Sequence, residues 1–514
     1  MRHTIITTIQ NTPSGTPGSS DGVMMMVCQG VATTGGTNAL VLDTAYLGSH
    51  LSDFVTGLNI TPDYDVVNST NVYQQVSEFY AEAGDGAFLW LVVTSTSTVF
   101  ATYCAYSTGT TFLNLVRGTI QSDLAMRAKM IGMSYNPPTT QQAATDFDSG
   151  ALAAIPVLQA AALGLASEGF PVSFILDGNN MSSTATSATI GSMATKLAPQ
   201  VSFCITGSKP NGASSIGAAL GRFAKISVGH GFGETDDGPI SLTQGFLTNG
   251  VSTLISATPV SQGTNLTAGH TYMVLNGPVT YAGTVYSFGS TLLCVTGTLG
   301  FTGSGTSVVD ITATATIIAA TKYYVLAGPV TSGGITYQTG DIFVSGAAIT
   351  SLTGGFVTAL KSTDVTKLFQ TDYENYGDKQ FLFYSPYYQL SGLYWNDGAT
   401  CDLTTNPLST QEFNRVANKM VAALLSFLSL LKGKNVPIDI KTGLVTFAFV
   451  SAKQADFDAA YINPLVITND ISGGTLTLVG TPNGVNTVNW TYTLTINGEP
   501  ITGSATGTVT FSNS

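Results

Sequence analysis

The residues able to do chemistry are few in this chain, and their spacing builds no familiar reactive set. GSKPNGASSIG (207–217) has the glycine content of a phosphate loop, but the G-x-x-x-x-G-K-[ST] order is missing and Lys209 precedes the helix, with Pro210 beside it. A tight strand-to-helix turn accounts for it, and GHGFG (229–233) is a weaker resemblance still. The histidines are His3, His50, His230 and His270, and no metal site is expected of them. Asp236 and Asp237 in ETDDGP, and Asp397 in WNDGAT, read as turn carboxylates. No G-x-S-x-G occurs. Cys28, Cys104, Cys204, Cys294 and Cys401 are odd in number and far apart, which predicts free buried thiols in a protein assembled in a reducing cytoplasm. No catalytic constellation, cofactor or metal emerges, so the chain is expected not to be an enzyme.

Elements that could position a site are more legible. Over 148–232 the pattern is helix (151–169), strand (171–178), helix (185–199), strand (201–207), and a further helix and strand over 212–233. Short strands apolar on both faces between Ala-rich helices predict crossover units on a parallel sheet. Gly217 and Gly221, four apart on the last helix, suit close helix packing. Upstream, 23–28, 39–43, 87–93 and part of 125–135 read as buried strands. The helix over 68–84 places Val72, Val76, Phe79 and Tyr80 on one face and stops at Gly84. Downstream, an aromatic stretch (379–400) precedes a helix over 409–432. Ser409 and Glu412 suggest a capping box for it, Leu408 and Phe413 a hydrophobic staple, and Gly433 a stop. A strand is expected at 444–450, and three more at 475–480, 488–496 and 506–512.

Composition separates these parts. The 514 residues carry a net charge of −12, with only 9% charged residues against roughly 25% in ordinary soluble domains. So sparse a charge suggests a surface covered by neighbours. The negative balance, with no Lys/Arg cluster, argues against direct nucleic-acid binding. The apolar run 421–431 is too short to span a bilayer and stops at Lys432, so no membrane insertion is expected. Between 245 and 365 charge nearly vanishes, and YMVLNGPVTYAGTVYSFG (272–289) matches YYVLAGPVTSGGITYQTG (323–340) at an offset of 51 residues. The expected layout is an N-terminal strand arm and linker (1–22), an α/β body (23–244), an inserted all-β domain with a two-fold internal repeat (245–365), the resumed body with a helix-strand unit (366–463) and a C-terminal β arm (464–514). The fold class is therefore α/β, discontinuous, with strand-forming arms at both ends.

The segments 58–93, 173–178, 212–233, YWNDGAT (394–400) and STQEFNRVANKMVAALLSFL (409–428) resemble contractile tail sheath proteins of bacteriophages and related injection systems. The resemblance covers about two thirds of the chain and leaves out the repeat-bearing segment. It implies a structural subunit that self-associates as hexameric rings stacked helically around an inner tail tube protein, with baseplate and tail terminator proteins as further partners. The implied location is the virion tail, assembled in the host cytoplasm, and the implied action is contraction that drives the tube through the host envelope for genome delivery. Terminal arms of the family exchange strands between neighbours. Here Thr4, Ile5, Ile6, Thr7 and Thr8, and Thr506, Thr508, Val509, Thr510 and Phe511, are the expected exchanged strands. Arg415, Lys419, Lys432 and Lys434 are candidates for tube contact. An α/β hydrolase associated with a phage tail, with a carbohydrate-binding β insertion, is the alternative.

Overall fold

The computed structural model describes residues 20–510 except 35–38, 63, 122–125, 139–145, 229, 251–253, 256–259, 262–264, 277–278, 287–290, 296–299, 303–306, 311–319, 328, 347–355, 360–361, 388–389, 407, 432–436, 438, 440–444, 468–470, 481–486 and 497–501. A six-stranded sheet forms from β1 (Met24–Gly30), β2 (Ala45–Gly48), β3 (Leu89–Ser95), β4 (Met130–Ser134), β5 (Ser173–Asp177) and β6 (Val201–Cys204). The spatial order is β2-β3-β1-β4-β5-β6, all parallel except the edge strand β2. Met24 to Cys28 are buried on both faces, which explains why this run does not alternate. Four helices pack against this sheet: α1 (Val72–Ala83), α2 (Ser149–Ser167), α3 (Ile216–Lys225) and α4 (Gln411–Leu431). A Cβ at Gly132 would meet Ile216 and Leu220 of α3, while Phe174, on the opposite pleat, packs against Phe112 of a further helix, Thr110–Gln121, with ring centroids 6.3 Å apart, so helices cover both sheet faces. By length and composition α2 could cross a membrane, yet seven of its residues, among them Ile155, Leu158 and Leu165, are buried in the sheet's core. All five cysteines are buried thiols outside any disulfide.

Four expected elements are absent or changed. No strand follows α3, which ends at Lys225: among the described residues 226–233 hold only turns, bends and irregular chain. Residues 39–43 are no strand: Asp43 has φ 55°, the chain turns there, and pairing with β3 begins only at Ala45. The helix over 185–199 reduces to one 3-10 turn, Met193–Lys196. Thr186 and Thr189 bond each other's hydroxyl and backbone groups upstream of it, the local competition that makes Ser/Thr runs poor helices. Over 444–450 the strand is replaced by α5 (Phe447–Phe457), which starts after Thr446 and leaves Phe447 83% exposed. The Ala-Lys-Gln-Ala sequence beyond Val450 favours helix, and a short apolar run alone does not distinguish the two.

From 254 to 359 every described element is a short strand. Thr271–Asn276 pairs with Thr291–Leu293 and Ser307–Asp310, and a hairpin joins Val279–Tyr281 to Thr284–Tyr286. The same pairings recur downstream: Lys322–Ala327 with Ile342–Val344 and Phe356–Ala359, and the hairpin Val330–Ser332 with Ile335–Tyr337. Even the register shift at Val274/Asn276 recurs at Val325/Ala327. Each set has its own apolar cluster, around Tyr272, Val274 and Leu292 and around Tyr323, Val325 and Phe343. The last described strands form a three-stranded antiparallel sheet, Ile471–Gly480, Thr487–Ile496 and Thr502–Thr510, in that spatial order.

Candidate interaction site at the amino edge of the sheet

The carboxyl edge of a parallel sheet, where the strand order reverses, is the usual ligand crevice of such folds. Here the chain itself fills it. Asp177, at the end of β5, accepts from Ser214 N at 2.9 Å, Ser214 Oγ at 2.7 Å and Tyr135 N at 3.2 Å. Gln29, at the end of β1, accepts from Asn136 N and donates to Thr98 O. Asp65 accepts from Gln74 N at 2.7 Å and Tyr73 N at 3.0 Å. The 207–217 segment is the turn expected of it, with Ser208 and Ser214 bonded inward. Among the described residues no group of His, Cys, Asp and Glu could hold a metal. His230 nonetheless has a carboxylate four residues on, at Glu234: its Nε2 lies 3.0 Å from Glu234 and 3.1 Å from Asp237.

Burial pushes the Asp177 carboxyl up from 3.8 to about 7, against its three donors. Folding therefore takes up a proton: the stability Asp177 contributes is complete below its unfolded value and is lost as pH rises toward 7. Asp177→Asn removes this titration. In melting experiments the wild type is expected to gain on the variant as pH falls from 7 to about 4, and parallel profiles would refute the assignment.

The opposite, amino edge is organised by α4. Polar residues recur on it at helical spacing: Gln411, Asn414, Arg415, Asn418 and Lys419. Gln411 Nε2 donates to Ser202 Oγ at 2.9 Å, Asn414 Oδ1 accepts from Gln200 Nε2 at 2.8 Å, and Asn418 Nδ2 donates to Ser173 Oγ at 3.0 Å. This polar stripe faces the sheet. The apolar stripe, Val416, Met420, Leu424 and Phe427, faces the other way, into a separate cluster with Val450, Phe457, Leu465 and Leu476. The helix is thus a two-faced link between the α/β body and the C-terminal helices and sheet. The expected capping box does not form as drawn: Glu412 reaches across to accept from Phe232 N at 2.6 Å and Gly398 N at 3.3 Å.

The expected tube-contact residues are placed differently from one another. Arg415 is buried, its guanidinium donating to Phe223 O at 2.8 Å and Ser227 O at 3.2 Å and lying 5.2 Å from the Phe223 ring centroid. It is committed to capping α3 and is not on offer to another chain, which corrects that expectation. Lys419 is half-buried and pairs with Asp21 at 2.7 Å. Lys432 and Lys434 lie outside the described residues, as do Thr4, Ile5, Ile6, Thr7, Thr8 and Phe511. Thr506, Thr508, Val509 and Thr510 lie on the last strand, opposite Thr491, Asn489, Val488 and Thr487 of their own chain. Where α4 leaves the sheet, a cavity of about 380 Å³ opens beside Asp21, Arg127, Lys129, Asn418, Lys419 and Tyr461. The polar spacing on α4 was the available signal for this edge, hidden by the stronger apolar stripe.

The model of the DUF2586 N-terminal domain matches residues 2–260, half of the chain. The chain belongs to the DUF2586 family. Among curated proteins no relative matches this DUF2586 protein. Solved structures similar to it include a chain of the anti-feeding prophage (AFP) baseplate (8% identity, 98% of this chain and 94% of that one, TM-score 0.42). Also similar are the sheath tail protein from Desulfitobacterium hafniense (7%, 98% and 99%, 0.43) and a chain of the PVC sheath complex of an extracellular contractile injection system in its contracted state (8%, 97% and 91%, 0.41).

Proposed function

We propose that this DUF2586 protein is a structural subunit of a contractile tail sheath, which polymerises through its terminal strands into stacked hexameric rings around an inner tube. The observation that carries the reading is the free edge of the last sheet. Thr502–Thr510 is a nine-residue edge strand with no charged residue and no proline, and among the described residues it has no partner on its outer side. Long edges are normally blunted by charge, proline or a bulge, so an unprotected one is a place where another chain adds a strand. Thr4 to Thr8 of a neighbour would supply that strand, and Thr506 to Phe511 is the segment proposed to be exchanged in return, with Thr506 to Thr510 repeating across subunits the pairings they make within one. The sparse surface charge and exposed apolar side chains such as Phe369, Phe447 and Ile467 also suit a subunit covered by copies of itself.

On this reading the subunit does mechanical work, without catalysis: rigid bodies re-pack into a shorter lattice and drive the tube through a host envelope, delivering a genome. Inner tube, baseplate and terminator proteins are its partners in a virion tail assembled in the host cytoplasm. Segment 245–365 is an inserted, duplicated all-β unit that decorates the outside. Electron microscopy of the purified full-length protein beside a version lacking residues 1–14 tests the reading. Tubes with six-fold layers that are lost on truncation are expected; discrete small particles in both preparations would overturn it.

A further inference from the structure

Among the described residues, the cavity at the amino edge of the sheet carries more positive than negative charge. Arg127, Lys129 and Lys419 line it with one carboxylate among the described lining residues, that of Asp21, the reverse of the chain's overall balance of 18 basic to 30 acidic residues. Arg127 is 6% exposed; one of its nitrogens donates to Gly169 O and its guanidinium lies 5.0 Å from the Phe170 ring centroid, but its Nε has no acceptor among the described residues. Lys129 makes no hydrogen bond or ion pair through its ammonium within the described residues, and burial pushes it below the ordinary lysine value. A buried cation short of acceptors is costly, and a cavity that keeps one, Arg127, beside the half-buried Lys129 favours an anion. The walls are suited to holding one: Arg127 and Lys129 stand just before β4, Lys419 and Asn418 project from α4, and Pro171, Val228 and Tyr461 complete the apolar lining.

We infer that this cavity is a binding site for a small polyvalent oxyanion, of the phosphate or polycarboxylate class, which bridges Arg127 and Lys129 to Lys419 and so fastens α4 to the base of the sheet. The site is formed within one chain, and its test is independent of ring assembly.

The test is thermal unfolding of the full chain titrated with sodium phosphate or sodium citrate at constant ionic strength, with chloride as the control. An anion that binds the folded state raises the melting temperature in a saturable way. The wild type is expected to respond to phosphate or citrate and not to chloride, and whichever is effective identifies the source. Lys129→Met removes a half-buried charge that makes no hydrogen bond or ion pair among the described residues, so without anion it should melt at or above the wild-type temperature. Its affinity for the anion should fall about tenfold or more, as expected on losing a charge-assisted hydrogen bond. Arg127→Met serves as a second variant with the same loss of response. Equal effects of all three salts, or an undiminished response in Lys129→Met, would overturn the assignment. So would assembly that fails in Lys129→Met with no anion response in the wild type, which would give the cavity to an acidic segment of a neighbouring copy.

Discussion

Arg222→Met is expected to destabilise the protein by about 3–5 kcal/mol, the range for breaking a buried ion pair from one side. Arg222 Nε lies 3.0 Å from Glu82 Oε1, and both side chains are only 2% exposed. Its remaining nitrogens donate to Asp237 O at 3.1 Å and Gly238 O at 2.8 Å, while Glu82 Oε2 accepts from Ser241 N and Oγ. The pair therefore ties α1, α3 and the 237–241 segment together at one point. Methionine fills much of the arginine's volume, so the loss would come from a carboxylate left buried without its cation, and from two carbonyls without donors. Adding Glu82→Leu should recover most of the loss, because the desolvation cost of the ionic pair is then removed as well. Urea unfolding of the two variants decides the matter. A single-variant loss under about 1 kcal/mol would show the pair to be dispensable.

Gly217→Ala should be as damaging, for a different reason. A Cβ there would lie 1.9 Å from Gln75 O and 2.7 Å from Gln75 C, backbone atoms of α1 that cannot rotate aside. Gln75 also grips the start of α3 directly, its Oε1 accepting from Gly217 N at 2.6 Å and its Nε2 donating to Ser214 O at 2.7 Å. Separating the helices would break both bonds as well as the packing; overpacking costs about 1–3 kcal/mol, and a clash with backbone atoms belongs at or beyond the upper end. Gly221→Ala meets Phe79 O at 2.7 Å and Glu82 Cβ at 2.9 Å, so a smaller loss is expected. Gly118, in the helix Thr110–Gln121, has nothing within 4 Å, and Gly118→Ala should stabilise by up to about 1 kcal/mol through helix propensity alone. Melting temperatures ranked in any other order would contradict the close-packing account.

These glycines are legible in the sequence, because a four-residue spacing on an amphipathic helix has one simple use. The buried strands are legible too: VMMMVC and AFLWLVV are too continuous for a half-exposed sheet. The features that stay hidden depend on partners far away in sequence. Glu412 satisfies every local rule for a capping box, yet Phe232 N and Gly398 N claim it. Arg415 has the look of a surface cation until α3 ends beside it and its guanidinium finds the Phe223, Ile226 and Ser227 carbonyls. The 444–450 run misleads because its apolar residues read as a strand until the helix-favouring residues beyond them are weighed. For the site, the polar spacing on α4 is present in the sequence, but only the fold shows that the polar side faces the sheet.

The two faces of α4 differ in how they would yield to force. On the face toward Met420 and Leu424 the contacts are apolar and non-directional, so the C-terminal part can slide or rock a little at small cost. Toward Ser202, Gln200 and Ser173 the contacts are hydrogen bonds of fixed length and angle, which give way abruptly when sheared. A pull applied to the final sheet would thus be absorbed first in the soft seam and only then passed on as torque to the body. Under such a pull the helix would act as a slip clutch whose stiff side stays fixed to the sheet.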